Sequence, residues 1–110
     1  MATYDDFLAL EIRTGRIVAV EPFDRARTPT YKVSVDFGDE VGVKASSVQA
    51  RREYTPDALM GLLVVGVVNL PPKNIAGFAS EVLILGVPAE DGSLSLLSPT
   101  RGGRLGGRVY

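Results

Sequence analysis

Between Tyr31 and Phe37 apolar and polar residues alternate without a break: Tyr31, Val33, Val35 and Phe37 against Lys32, Ser34 and Asp36. In an extended chain successive side chains point to opposite faces, so this period buries one face and wets the other. The pattern is that of a half-buried antiparallel strand. Phe37-Gly38-Asp39-Glu40 reads as a turn, and residues 41–46, VGVKAS, pair back as the second arm of a hairpin. A hairpin with one apolar face must cover that face with further strands.

The rest of the chain supplies them. Residues 13–23 carry the β-branched pair Ile17 and Val18, and Pro22 stops the run. Residues 62–70, LLVVGVVNL, read as a fully buried strand, and residues 82–87, VLILGV, as another. The EDGS stretch at 90–93 is a turn, and SLSLLS at 93–98 alternates as a last strand. Helices are predicted in two places. Thr3 ahead of Asp5 and Asp6 caps a short helix over 4–10, and Thr55 with Pro56 opens another in TPDALMG. The Gly/Arg-rich tail, residues 99–110, is expected to be mobile except where Leu105 or Val109 pins it. About six short strands with glycine turns, and no βαβ alternation, predict an all-β fold. It is a five-stranded Greek-key barrel of the oligonucleotide/oligosaccharide-binding (OB) type. The short N-terminal helix precedes the barrel, and the second helix lies between strands 3 and 4.

Composition narrows what such a barrel does. The 110 residues fit one domain, 1–110, large enough to bury a core. There is no Cys and no His, which removes disulfides, thiolate metal sites, a cysteine nucleophile and the commonest general base. The carboxylate pairs Asp5-Asp6, Asp39-Glu40 and Glu90-Asp91 sit at a helix start or in turns, where acids are expected without catalysis. No catalytic residues, no metal ligands and no cofactor are assigned. Formal net charge is −1, but residues 1–40 sum to −3 and residues 41–110 to +2 (five basic against eight acidic, then seven against five). An anion-binding face is therefore expected from the second part. The first residues have no basic signal-peptide region, and the longest apolar run is too short to span a bilayer. With the missing Cys this fits a cytoplasmic protein without membrane insertion.

The candidate site is Asn69 to Glu81, NLPPKNIAGFASE. Pro71-Pro72 forces a stiff, extended exit from the preceding strand. Lys73 and Asn74 are then held out on that base, Gly77 permits a turn, and Phe78 folds back as an apolar anchor. Lys73 suits a phosphate, and Asn69 and Ser80 can donate or accept hydrogen bonds. Glu81 repels phosphate, so in an RNA site its use is to accept from base amino groups. Two readings of Ser80 and Glu81 stand open: they touch a ligand, or they tie the loop to its own backbone. Lys44 lies on the third strand near this stretch. Leu70, Pro71, Pro72, Ile75, Ala76 and Phe78 form an apolar ledge beside it, fit for an unfolded peptide. Aromatic residues are too few for stacking a run of bases, so any RNA partner is expected to be a folded shape.

Asn69, Pro72, Lys73, Gly77, Ser80 and Glu81 match the N-x-x-P-[RK]-x-x-x-G-x-x-S-E stretch of the tRNA-binding-domain family, which this chain resembles. The phrases RARTPTYK and KASSVQA resemble the stand-alone, secretion-chaperone branch rather than the synthetase-borne domains, and the likeness runs over about 90 residues. Synthetase-type domains continue Ser-Glu-Gly where this chain has Val82. The resemblance implies an OB barrel in a homodimer that binds tRNA and unfolded precursor proteins, with a link to export machinery. It implies RNA-facing roles for Asn69, Lys73, Ser80 and Glu81, with Lys44, Ser46 and Ser47 from the neighbouring strand. The helix at residues 1–10 is the expected dimerisation arm, since a helix that short needs a docking surface.

Overall fold

A computed structural model describes residues 1–110. The chain runs α1 (Tyr4–Ala9), β1 (Ile12–Pro22), β2 (Tyr31–Asp36), α2 (Gly38–Val41), β3 (Val43–Val48), α3 (Pro56–Leu59) and β4 (Leu63–Val67). It continues through β5 (Lys73–Ile75), β6 (Phe78–Ser80), β7 (Leu83–Ile84), β8 (Gly86–Pro88) and β9 (Leu94–Leu96).

The alternating segment forms β2, with Tyr31, Val33, Val35 and Phe37 buried and Lys32, Ser34 and Asp36 half-buried on the other face. β2 is antiparallel to β1 on one side and to β3 on the other, in a five-stranded sheet of order β3-β2-β1-β4-β7. The two edges of that sheet meet. Glu81 N–H donates to Ala45 O at 2.8 Å, and Ala45 N–H donates to the Glu81 carboxylate at 2.9 Å. The result is a nearly closed, antiparallel, OB-like barrel with three short helices. Its core holds Ile17, Val35, Phe37, Leu59 and Val64, all without solvent contact. Gly15 lets β1 cross this core closely, because a Cβ there would stand 2.5 Å from Val35 Cγ1 and 2.8 Å from Phe37 Cδ1.

Both predicted helices form. Thr3 and Asp6 make a reciprocal capping box on α1, Thr3 N–H to Asp6 Oδ2 at 2.8 Å and Asp6 N–H to Thr3 Oγ1 at 3.3 Å. Thr55 caps α3, which lies between β3 and β4 and sends Leu59 into the core.

Four local expectations differ. Gly38 to Val41 is a single helical turn rather than a hairpin turn, entered through Gly38 at φ 85° and left through Gly42 at φ 87°. β4 is not fully buried: Val64 joins the core cluster on the inner face, whereas Leu63 and Val65 on the other face are half-buried and Val67 alone on that face is covered. The VLILGV run divides into β7, which pairs with β4, and β8, which pairs with β9. The Gly/Arg-rich tail is held along β1. Thr14 N–H donates to Gly107 O, Gly106 N–H to Thr14 O and Val109 N–H to Ile12 O, at 2.8–2.9 Å. β2 covers β1 only from Arg16 onward, and the tail takes the edge that β2 leaves open.

Candidate nucleic-acid interface

The stretch expected as a loop folds as a small hairpin, β5 against β6, with Lys73 opposite Ser80 and Ile75 opposite Phe78. Its two-residue turn has Ala76 at φ 49° and Gly77 at φ 86°, both left-handed, as tight hairpins require. Asn74 Oδ1 accepts from Gly77 N–H at 2.9 Å and fixes the turn. At the base of the hairpin Asn69 is engaged twice, its Oδ1 accepting from Glu11 N–H at 2.8 Å and its Nδ2 donating to Ala9 O at 2.9 Å. This amide fastens the end of α1 to the end of β4.

Ser80 and Glu81 are knitted to β3. Ser80 Oγ accepts from Ser47 N–H at 3.1 Å, beside the Glu81–Ala45 exchange that closes the barrel. Ser46 is fully buried and donates to Val82 O at 3.0 Å, so its hydroxyl serves closure and has no path to a ligand. Lys44 stands opposite the buried Val35, half-buried, on the inner face of β3, whereas Ser47 stands opposite Lys32 on the outer face. Neighbours in sequence are therefore separated by the pleat.

A cleft of about 680 Å³ opens beside the hairpin. Ser47, Lys73, Ser80 and Glu81 supply its polar side, and Leu70, Pro71, Ile75, Leu83, Leu94 and Leu96 most of its apolar side. Seven expected residues thus line one cleft. Lys44, Ser46, Asn69, Pro72 and Phe78 do not. Phe78 instead packs edge-on against buried Phe23 at 5.4 Å, joining the hairpin to the β1–β2 loop. Lys32 Nζ sits over both rings, 4.7 and 5.0 Å from their centroids.

Lys32 is a residue that motif reading missed. Its signal was present: it lies on the polar face of the alternating strand, opposite the candidate Ser47. Leu83, Leu94 and Leu96 were missed because their convergence on the cleft depends on the split of VLILGV into two strands.

Several cations on this side of the barrel lack a carboxylate partner. Ion pairs join Arg13 to Glu11 (2.9 Å) and Glu40 (3.8 Å), and Arg51 to Asp24 (3.0 Å). Lys32, Lys73, Arg25, Arg27 and Arg52 have no carboxylate within 4.0 Å. The carboxyl of Asp91 is held below the ordinary carboxylate range by the Ser93 hydroxyl, at 2.6 Å, and by Ser93 N–H; it stabilises the β8–β9 turn. No helix is long and apolar enough to cross a membrane.

Fold and cleft define a class: a small OB-like barrel with a cationic, hydrogen-bonding rim set against an apolar wall. The sequence profile described as "Putative tRNA binding domain" matches residues 12–108, and the chain belongs to that family. It is 36% identical over 107 residues to the methionine–tRNA ligase of Pyrococcus abyssi, a match that takes in 96% of the chain and 14% of the ligase. The chain thus spans about one-seventh of the length of such curated relatives. Over its whole length it is similar to the CsaA chaperone protein of Picrophilus torridus, at 44% identity and a TM-score of 0.94, with all of both chains covered. The chaperone CsaA of Bacillus anthracis is similar to it at 44% identity and a TM-score of 0.92, covering 100% of this chain and 99% of that one.

Proposed function

We propose that the protein is a cytoplasmic, homodimeric export chaperone that holds unfolded precursor segments in the cleft and binds folded tRNA across the same rim. The observation that carries this reading is the cleft itself, where Lys73, Ser47 and Ser80 stand beside Leu70, Ile75 and Leu83. A phosphate is met by the ammonium group and by hydroxyl donors, and an extended peptide by the apolar wall. The full-length likeness to two chaperones supports the peptide role, and membership of the tRNA-binding family supports the RNA role. Lys73 and Lys32 are the RNA contacts. Ser80 and Glu81 hold the rim in shape and leave Ser47 and Lys73 facing the ligand.

The dimer rests on α1. None of its residues is buried, and Tyr4, Leu8 and the capping Leu10 are 70, 44 and 37% exposed, an apolar surface that a second copy would cover. A second reading, tRNA binding without a chaperone role, is favoured by the family match alone and makes the apolar wall incidental.

One experiment separates these readings: sedimentation velocity with labelled tRNA and an unfolded precursor peptide across a salt series. Binding of tRNA should weaken steeply with salt, peptide binding should not, and each ligand should displace the other. Failure of the peptide to bind would leave the RNA-only reading, and failure of tRNA to bind would remove the RNA role. The same runs report the mass of the free protein, and a monomer at micromolar concentration would refute the dimer.

A further inference from the structure

We propose a second phosphate-binding subsite beside the cleft, between the β1–β2 loop and the segment after β3, which takes a neighbouring backbone phosphate of an RNA whose first contact is Lys73. The proposal rests on the RNA half of the reading above.

A separate pocket of about 280 Å³ is lined by Arg27, Thr28, Pro29, Gln49, Arg52 and Glu53. Pro29 is its one apolar side chain, in contrast to the large cleft, so it offers an unfolded apolar segment little. Arg27 and Arg52 form no ion pair and donate to no acceptor of the chain. Their neighbour Arg51 is engaged, pairing with Asp24 at 3.0 Å, and that pair ties the two walls together. One exposed ion pair thus joins the two segments while the guanidinium groups of Arg27 and Arg52 remain unclaimed.

Neutral donors complete the lining. Thr30 Oγ1 donates to Thr28 O at 2.8 Å and lies 3.3 Å from Thr28 Oγ1. The Thr30 proton is therefore used, and the Thr28 hydroxyl is the one that can turn to a ligand. The Gln49 amide has no partner within the chain and lines both this pocket and the large cleft. Two guanidinium forks, a hydroxyl and an amide form a donor set for a phosphate group. Gln49 makes the path continuous from the Lys73 rim into it. Glu53 is the one carboxylate in the lining, so the three charged groups sum to +1 (two Arg less one Glu). That balance supports a single phosphate contact and supplies a substitution of opposite sign.

The test is tRNA affinity over a salt series for the wild type, the double variant Arg27→Gln/Arg52→Gln, and Glu53→Gln. All three altered side chains are exposed and none is hydrogen-bonded within the chain, so circular dichroism and melting should not change. The double variant should bind about tenfold more weakly at low salt, with a log–log salt slope shallower by about one. Glu53→Gln should bind more tightly at low salt and lose that advantage at high salt. An unchanged slope in the double variant, or no tightening in Glu53→Gln, would overturn the subsite while wild-type tRNA binding leaves the RNA reading standing. A wild type that binds no tRNA would overturn both.

Discussion

The hairpin at 73–80 and the tail at 99–110 look alike as sequence. Each is glycine-bearing and irregular, and each is cationic, with Lys73 in the hairpin and Arg101, Arg104 and Arg108 in the tail. In the folded chain they differ in what those cations do. In the tail, Arg108 reaches Leu8 O and Leu10 O at 2.7 and 3.2 Å, and Arg13 of β1 answers by donating from Nη1 to Gly106 O at 2.9 Å. These guanidinium groups complete the carbonyls of the fold itself. Lys73 has no such partner and stands in the cleft. Arg101 and Arg104 are also unpaired, but neither lines the cleft. Free cations beside a cavity, rather than a density of Arg and Gly, distinguish a binding surface from a structural strap.

The comparison can be broken most sharply at Gly106. It holds φ 79°, and a Cβ there would stand 2.6 Å from Phe37 O. Gly106→Val should cost about 3 kcal/mol or more by combining a left-handed β-branched residue with a backbone clash. Denaturant unfolding reads that loss, and tRNA affinity should not change where the variant is still folded. A tail that merely rests on the barrel would tolerate the substitution.

Lys73→Ala is the mirror experiment. Stability should move by less than about 0.5 kcal/mol, because the side chain is exposed and unbonded. Affinity for tRNA should fall about tenfold at low salt, with one contact removed from the salt slope. Equal affinity for both proteins would place the RNA elsewhere. The smallest effect is expected at Ala76, an alanine at φ 49° in the hairpin turn. Ala76→Gly should stabilise by about 0.5 kcal/mol, the relieved strain exceeding the added entropy of glycine. A destabilised variant would mean that the turn is not strained.

Elements governed by local chemistry were legible in the sequence. The alternation of β2, the Thr3 and Thr55 caps and the EDGS turn depend only on neighbours a few residues away. The tail was not legible, because its partner is an edge of β1 about ninety residues earlier that β2 happens to leave open. The hairpin was hidden for a different reason: its Ala76-Gly77 turn lacks the usual Asn-Gly pair, and the asparagine that fixes it lies earlier, at Asn74. At the candidate site, residue types were easier to read than directions. Ser46 and Ser47 look equivalent until pairing with β2 sends one into the barrel and leaves the other at the cleft.

Pro71-Pro72 has a consequence for how any guest would leave. Pro71, which lines the cleft, and Pro72, which follows it, carry no N–H, so a strand laid there cannot extend a ladder along them. A guest is then gripped by side chains, one contact at a time, and can peel away without breaking a cooperative row of hydrogen bonds. Such a surface favours brief occupancy and does not template one captured strand upon another.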